Sequence, residues 1–96
     1  MADDSDDVQP LLEQAAAGDR AARDEIFRRH RERLKQMVHL RLDRRLQGRI
    51  DASDVVQEAF ADATRNLSGY LAAPRAPLYL WLRYYVGMRL KALHRH

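Results

Sequence analysis

Asp51-Ala52-Ser53-Asp54-Val55-Val56-Gln57-Glu58-Ala59-Phe60 reads as the opening of a helix. Asp51 has the side chain of an N-cap. Asp54, three residues on, falls in the first turn, where a carboxylate meets the positive end of the helix dipole. Val55, Val56, Ala59, Phe60 and Ala63 recur at helical spacing and define an apolar face. Asp54, Gln57, Glu58 and Asp62 are left on the other side. Such a helix has one face for a core and an acidic, amide-bearing face for water or for a partner.

Upstream of this stretch, Asp19 reads as the N-cap of a long helix running to about Arg44. Ala22, Ile26, Phe27, His30, Leu34, Met37, Val38 and Leu42 keep the 3.6-residue period, and Arg20, Arg23, Arg28, Arg31 and Lys35 lie outside it. A helix of that length, roughly 39 Å at 1.5 Å per residue, suits the backbone of a bundle. Before it, Val8 to Ala17 reads as a short helix with Leu11, Leu12, Ala15 and Ala16 on its apolar side, Pro10 in its first turn and Gly18 at its end. Leu46 to Ile50, with Gly48, connects the long helix to the central one.

Downstream, the central helix is expected to end near Asn66-Leu67. Ser68-Gly69 reads as a stop signal, and Ser68 to Pro77, with Gly69, Pro74 and Pro77, as a loop. Pro77 then opens a last helix whose core face is Leu78, Trp81, Leu82, Tyr85, Val86, Leu90 and Leu93. No strand-length alternation of apolar and polar residues occurs. The fold expected is all-α: a small bundle of three main helices plus a short N-terminal one, with residues 1–7 as a disordered acidic tail and 8–96 as the folded domain.

Composition narrows the function classes. At 96 residues the chain is at most one small domain. A formal net charge of +3 with four aspartates in the first seven residues leaves +7 on the remainder. The last acid is Asp62; after it come Arg65, Arg75, Arg83, Arg89, Lys91 and Arg95. An unbalanced basic third points to a polyanionic partner. No apolar run approaches the ~18 residues of a membrane span. The chain has no cysteine, which fits a reducing, cytoplasmic setting. Ser5, Ser53 and Ser68 stand in no nucleophile motif, and there is no Gly-rich phosphate loop. His30 falls on a core face, and a zinc site would need His94 and His96 to meet a third ligand. The expectation is a binding protein with no enzymatic activity, cofactor or metal.

The central stretch, Asp-Ala-x-Asp-Val-Val-Gln-Glu-x-Phe, resembles the helix of region 2 in sigma-70 family RNA polymerase sigma factors, in particular the extracytoplasmic-function (ECF) group. Leu78-Tyr79-Leu80-Trp81-Leu82-Arg83 resembles the Phe-x-x-Trp-Leu pattern that opens the promoter-reading helix of that region, with Leu78 in place of Phe. Gly18-Asp19-x-Ala-Ala with Phe27 resembles the start of region 2. The three motifs keep the family's order and cover about Leu11 to His96. Nothing resembles region 4, the helix-turn-helix domain of the complete family members, so the resemblance implies a region 2 fragment.

The resemblance implies a bacterial transcription-initiation module that binds the β′ clamp helices of core RNA polymerase and recognises and melts the promoter −10 element. The residues it implies for polymerase docking are Asp51, Asp54, Gln57 and Glu58, with Asp51 also a candidate cap. Carboxylates and an amide at one-turn spacing suit charge-assisted bonds to arginines of a partner helix. For the non-template strand of the −10 element it implies Asn66, Ser68, Tyr70, Arg75, Tyr79, Arg83, Tyr84, Arg89, Lys91 and Arg95. Single-stranded DNA calls for cations, flat groups and hydrogen-bonding edges. Trp81 lies on the core stripe, which leaves Tyr79 and Tyr84 as the better stacking candidates. Arg89 and Lys91 fit equally a solvated helix end. An anti-sigma factor is a further partner that the resemblance implies. The competing reading is a helical adaptor whose basic face binds an acidic protein; a general nucleic-acid-binding helical domain is the weaker third.

Overall fold

The computed structural model describes residues 4–95, and the elements among them are helices: α1 (Asp4–Ala16), α2 (Arg20–Arg41), α3 (Ala52–Arg65), α4 (Leu67–Ala72) and α5 (Leu78–His94). Their boundaries follow from local chemistry. Asp19 caps α2, its Oδ1 accepting from the Ala21 and Ala22 N–H groups at 2.9 and 3.2 Å. Asp51 caps α3, accepting from the Ser53 N–H at 2.8 Å. The end of α1 is a Schellman turn: Gly18, at φ +99°, donates to the Ala15 carbonyl and Asp19 to that of Gln14, each at 3.0 Å. The positive φ is why glycine stands there.

The all-α expectation holds, with three differences in extent. First, α1 begins at Asp4, so Asp4–Asp7 is helical where an irregular tail was expected; residues 1–3 lie outside the described residues. Acidic residue types are favoured at a helix N-terminus, and this opening turn has several. Pro10 thus sits inside α1 rather than in its first turn, where its ring removes one helical N–H. Second, α2 stops at Arg41 rather than Arg44. Leu42 turns to an extended conformation and packs into the core, and Asp43 Oδ1 accepts from the Arg45 N–H at 2.9 Å, which starts a turn instead of another helical step. Third, the stretch expected as a loop from Ser68 contains α4, which passes through Ser68-Gly69. Leu67 and Tyr70 are buried, and the Tyr70 hydroxyl donates to the Ala76 carbonyl at 2.6 Å, so tertiary burial overrides the local stop signal.

One core joins the helices. From α2 it takes Ile26, Phe27, Leu34, Met37 and Val38; from α3 Val55, Val56, Ala59, Phe60 and Ala63; from α5 Leu78, Leu82, Val86 and Leu90. Phe27 and Phe60 stack at 4.6 Å between α2 and α3. Tyr70 of α4 stacks on Trp81 of α5 at 4.5 Å, and Trp81 meets Tyr85 edge-on at 5.1 Å. The α5 helix runs in the same direction as α2: His30 lies by Tyr79, and further along the Asp43 N–H donates to His94 Nε2 at 3.1 Å. Gly87, in the middle of α5, has nothing within 4 Å of where a Cβ would stand. Gly87→Ala is therefore expected to stabilise the protein by about 0.5–1 kcal/mol, from helix propensity alone. A thermal melt that shows no rise in Tm would contradict this.

Candidate functional site

The outer face of α3 follows from its inner one. With Val55, Val56, Ala59 and Phe60 all buried, Asp54, Gln57 and Glu58 are exposed between them, and Asp51 is exposed at the helix start. One Asp51 oxygen is spent on the cap, so the docking role that the resemblance gives it is shared with a structural one. Asp54 and Gln57 present their side chains to solvent. Glu58 is different. It is 60% exposed, yet its Oε2 accepts from Arg89 Nη1 at 3.1 Å.

Arg89, one of the cations expected to meet DNA, is paired within the chain. Its Nε donates to Asp62 Oδ2 at 2.7 Å and its Nη2 to Asp62 Oδ1 at 2.9 Å, a two-pronged pair between α3 and α5. With Glu58 on the third nitrogen, the guanidinium is directed at α3 and has its charge matched there. Phosphate contact by Arg89 would require breaking this clasp. Arg65, on the next turn of α3, also bonds Asp62.

The clasp shifts the titration of its members. The Arg89 hydrogen bonds, helped by the charges of Arg89 and Arg65, hold the Asp62 carboxyl below its ordinary value of 3.8 against the opposing cost of burial. Arg89 is raised by its bonds to Asp62. A carboxyl depressed in the folded state stabilises the fold fully above its unfolded pKa, and the contribution is lost as pH falls through the folded one. Asp62→Asn should therefore lower Tm at pH 7, and the deficit should begin to narrow below about pH 4, where the unfolded carboxyl protonates, and close as pH falls through the lower folded value. Melts of the two proteins at pH 7 and pH 3 test this; a deficit that stays constant would mean that the pairing charge contributes nothing.

The remaining expected DNA-binding residues fall into three groups. Tyr70, expected at the surface, is 9% exposed, stacked on Trp81 and bonded to Ala76, so its ring packs in the core instead. Burial also raises the pKa of its phenol. Tyr79 is half-buried, and Arg33 of α2 covers its ring, with the guanidinium carbon 3.7 Å from the ring centroid. Direct stacking of a base on that ring face is thereby blocked. Arg75, Tyr84, Lys91 and Arg95 are exposed and Arg83 is half-buried. Tyr84, 61% exposed, lies with Leu80 and Met88 at four-residue spacing on the outer side of α5, and all three are exposed.

Asn66 and Ser68 are exposed at the corner between α3 and α4. Asn66 Nδ2 donates to the Asp62 carbonyl at 3.1 Å, closing the end of α3. Ser68 is on the rim of a cleft of about 420 Å³ between this corner and the turn from α1 to α2, lined among others by Arg20, Arg23, Thr64, Leu67 and Leu71. The sequence reading had no way to bring Arg20 and Arg23 to Ser68, because the approach is made by the fold.

Among the described residues no group of three or more His, Cys, Asp and Glu side chains could hold a metal ion; His94 is instead an acceptor for the Asp43 N–H, and His96 lies outside the described residues. No helix among them is long and apolar enough to cross a membrane. Comparison with protein-family models, with curated proteins and with solved structures gave no match to this chain.

Proposed function

We propose that this chain is a region 2 domain of an ECF-type sigma factor, which docks on the β′ clamp helices of core RNA polymerase and recognises and melts the promoter −10 element. The observation that carries this reading is the outer face of α3. Asp54, Gln57 and Glu58 are exposed together on consecutive turns of a helix whose other side is locked into the core. Two carboxylates and an amide held rigidly in that way offer directional, charge-assisted acceptors to arginines of a partner helix. On the DNA side, Asn66 and Ser68 at the α3–α4 corner supply hydrogen-bonding groups, and the cleft lined by Asp19, Arg20, Arg23 and Ser68 offers a concave, polar place for an extruded base. Promoter opening then needs no chemistry: capture of unpaired bases offsets the few kcal/mol of unstacking.

A second reading is favoured by one observation, the exposed Leu80, Tyr84 and Met88 on α5. An apolar stripe on a helix that carries cations and no acid suits an acidic protein partner, as a helical adaptor or under an anti-sigma factor. The test is binding of the chain to a purified bacterial β′ clamp-helix fragment, without DNA, by calorimetry. The first reading expects a complex of micromolar or tighter affinity. A folded, helical sample that does not bind would remove the sigma factor reading and leave the adaptor.

A further inference from the structure

The acids of this chain are unevenly spread in space as well as in sequence. From Arg33 to Leu42, the second half of α2, there is no Asp or Glu, and from Ala63 to Arg95 there is none either. Because α2 and α5 run in the same direction side by side, the fold lays these two acid-free stretches against each other. Tyr79 faces α2; Arg83, one turn on, lies about 40° further round α5, and Lys91, three turns on, lies about 120° round and is exposed on the outward side of the seam. The opposite edge of α5 is the one that faces α3, where Arg89 is matched by Asp62 and Glu58. Helix α5 therefore has a neutralised side and a cationic side, and they are different from what a count of its cations suggests.

Arg33 stands at the centre of the cationic side. It is exposed, it makes no ion pair among the described residues, and its guanidinium carbon sits over the Tyr79 ring, 3.7 Å from the centroid. A guanidinium supported in this way is rigid, positively charged and planar on its outward side. Those are the properties that stack an unpaired base while neutralising a nearby phosphate. We infer that the seam between α2 and α5 is a single-stranded nucleic-acid surface, with Arg33, supported on Tyr79, as its stacking platform and with Arg83 and Lys91 as its phosphate contacts. This inference deepens the promoter-binding part of the proposed function: it moves the nucleic-acid face away from Arg89 and adds a residue of α2 to it. Arg33 takes the place of Tyr79 as the group that meets the base.

The experiment is fluorescence anisotropy of a labelled single-stranded DNA oligonucleotide of mixed sequence, with the whole chain, over a range of salt. Arg33→Ala is expected to weaken binding about five-fold or more and to reduce the salt slope by about 0.7, one phosphate's worth on a single strand. Arg33→Lys should keep the slope and still lose affinity, because it keeps the charge and loses the plane. Arg89→Gln should leave the slope unchanged. The inference is overturned if the wild-type chain does not bind at low salt, if Arg33→Ala binds as wild type, or if Arg89→Gln rather than Arg33→Ala lowers the slope. Poly-glutamate that competes as well as the oligonucleotide would also overturn it, in favour of an acidic protein partner. Clamp-fragment binding is measured without DNA. A chain that docks but fails here loses only this inference, whereas one that binds DNA through Arg33 but does not dock loses the sigma factor reading.

Discussion

Phe60→Ala is expected to destabilise the protein by about 3–5 kcal/mol, the range for removing a buried phenyl ring from a packed core. Phe60 is 2% exposed, stacks on Phe27 at 4.6 Å and lies under the Arg31 guanidinium, whose carbon is 6.0 Å from its centroid. It is a residue through which α3 grips α2. Its truncation leaves a cavity in the middle of the α2–α3 contact and strips Phe27 of its partner. A domain of this size has roughly 5–14 kcal/mol to lose in total, so the loss is a large share of it. At about 4–8 °C per kcal/mol, Tm should fall by roughly 12–40 °C. Phe60→Leu keeps most of the buried volume and should cost clearly less. Circular dichroism melts of the three proteins decide the matter. If Phe60→Ala melts within a few degrees of wild type, the α2–α3 core is not packed around this ring.

The same residue shows why so much of the fold could be read from the chain. On α2 and α3, where periodicity sets burial, the sequence reading and the structure agree, whereas Ala16 of α1 is exposed and Trp81, Tyr85 and Leu93 of α5 are only half-buried. Every residue assigned to the apolar side of the long helix, from Ala22 to Leu42, is buried, and so is every one assigned to the central helix, from Val55 to Ala63. Both caps, Asp19 and Asp51, bond as expected. The early end of α2 and the presence of α4 come where tertiary burial decides. Ser68-Gly69 carries local features of a stop, yet the segment is helical because Tyr70 finds Trp81, eleven residues on, and the Ala76 carbonyl. Leu42 ends α2 early because it is worth more in the core than as the next helical step.

The candidate site was legible to a smaller degree, for the same reason. Exposure of Asp54, Gln57 and Glu58 follows from the pattern of one helix. The fate of a cation does not. Arg89 and Arg83 have equal claims in the sequence, but one is clasped by Asp62 across 27 residues while the other makes no ion pair among the described residues. Arg33 gave no signal at all, because a guanidinium on a long basic helix looks like any other until the fold puts Tyr79 beneath it. Charge counts therefore identify a class of partner, and only packing sorts the charges into those that meet it and those that hold the fold.

That distinction shapes the second large effect, expected for Glu58→Lys. If α3 docks on the polymerase clamp, Glu58 has two cations to serve: Arg89 in the free chain, at 3.1 Å, and an arginine of the partner in the complex. Asp62 holds Arg89 by two bonds, so Glu58 can turn outward without leaving Arg89 unpaired. Reversing its charge changes this in both places. In the free chain a lysine faces Arg89 across an exposed gap, and the cost to stability is small because the site is 60% exposed and well screened. In the complex a like-charge pair replaces an attractive one in a desolvated contact, a loss of roughly 2–5 kcal/mol. Clamp-fragment binding should weaken about 30-fold or more while Tm changes little. Glu58→Gln, which keeps an acceptor, should fall between the two. Asp62→Lys is the contrasting case: it breaks the clasp itself and is expected to lower Tm along with binding. Equal affinities of wild type and Glu58→Lys for the clamp fragment, in samples of matching helicity, would mean that the acidic face of α3 is a solvated surface and that any docking runs through another part of the chain.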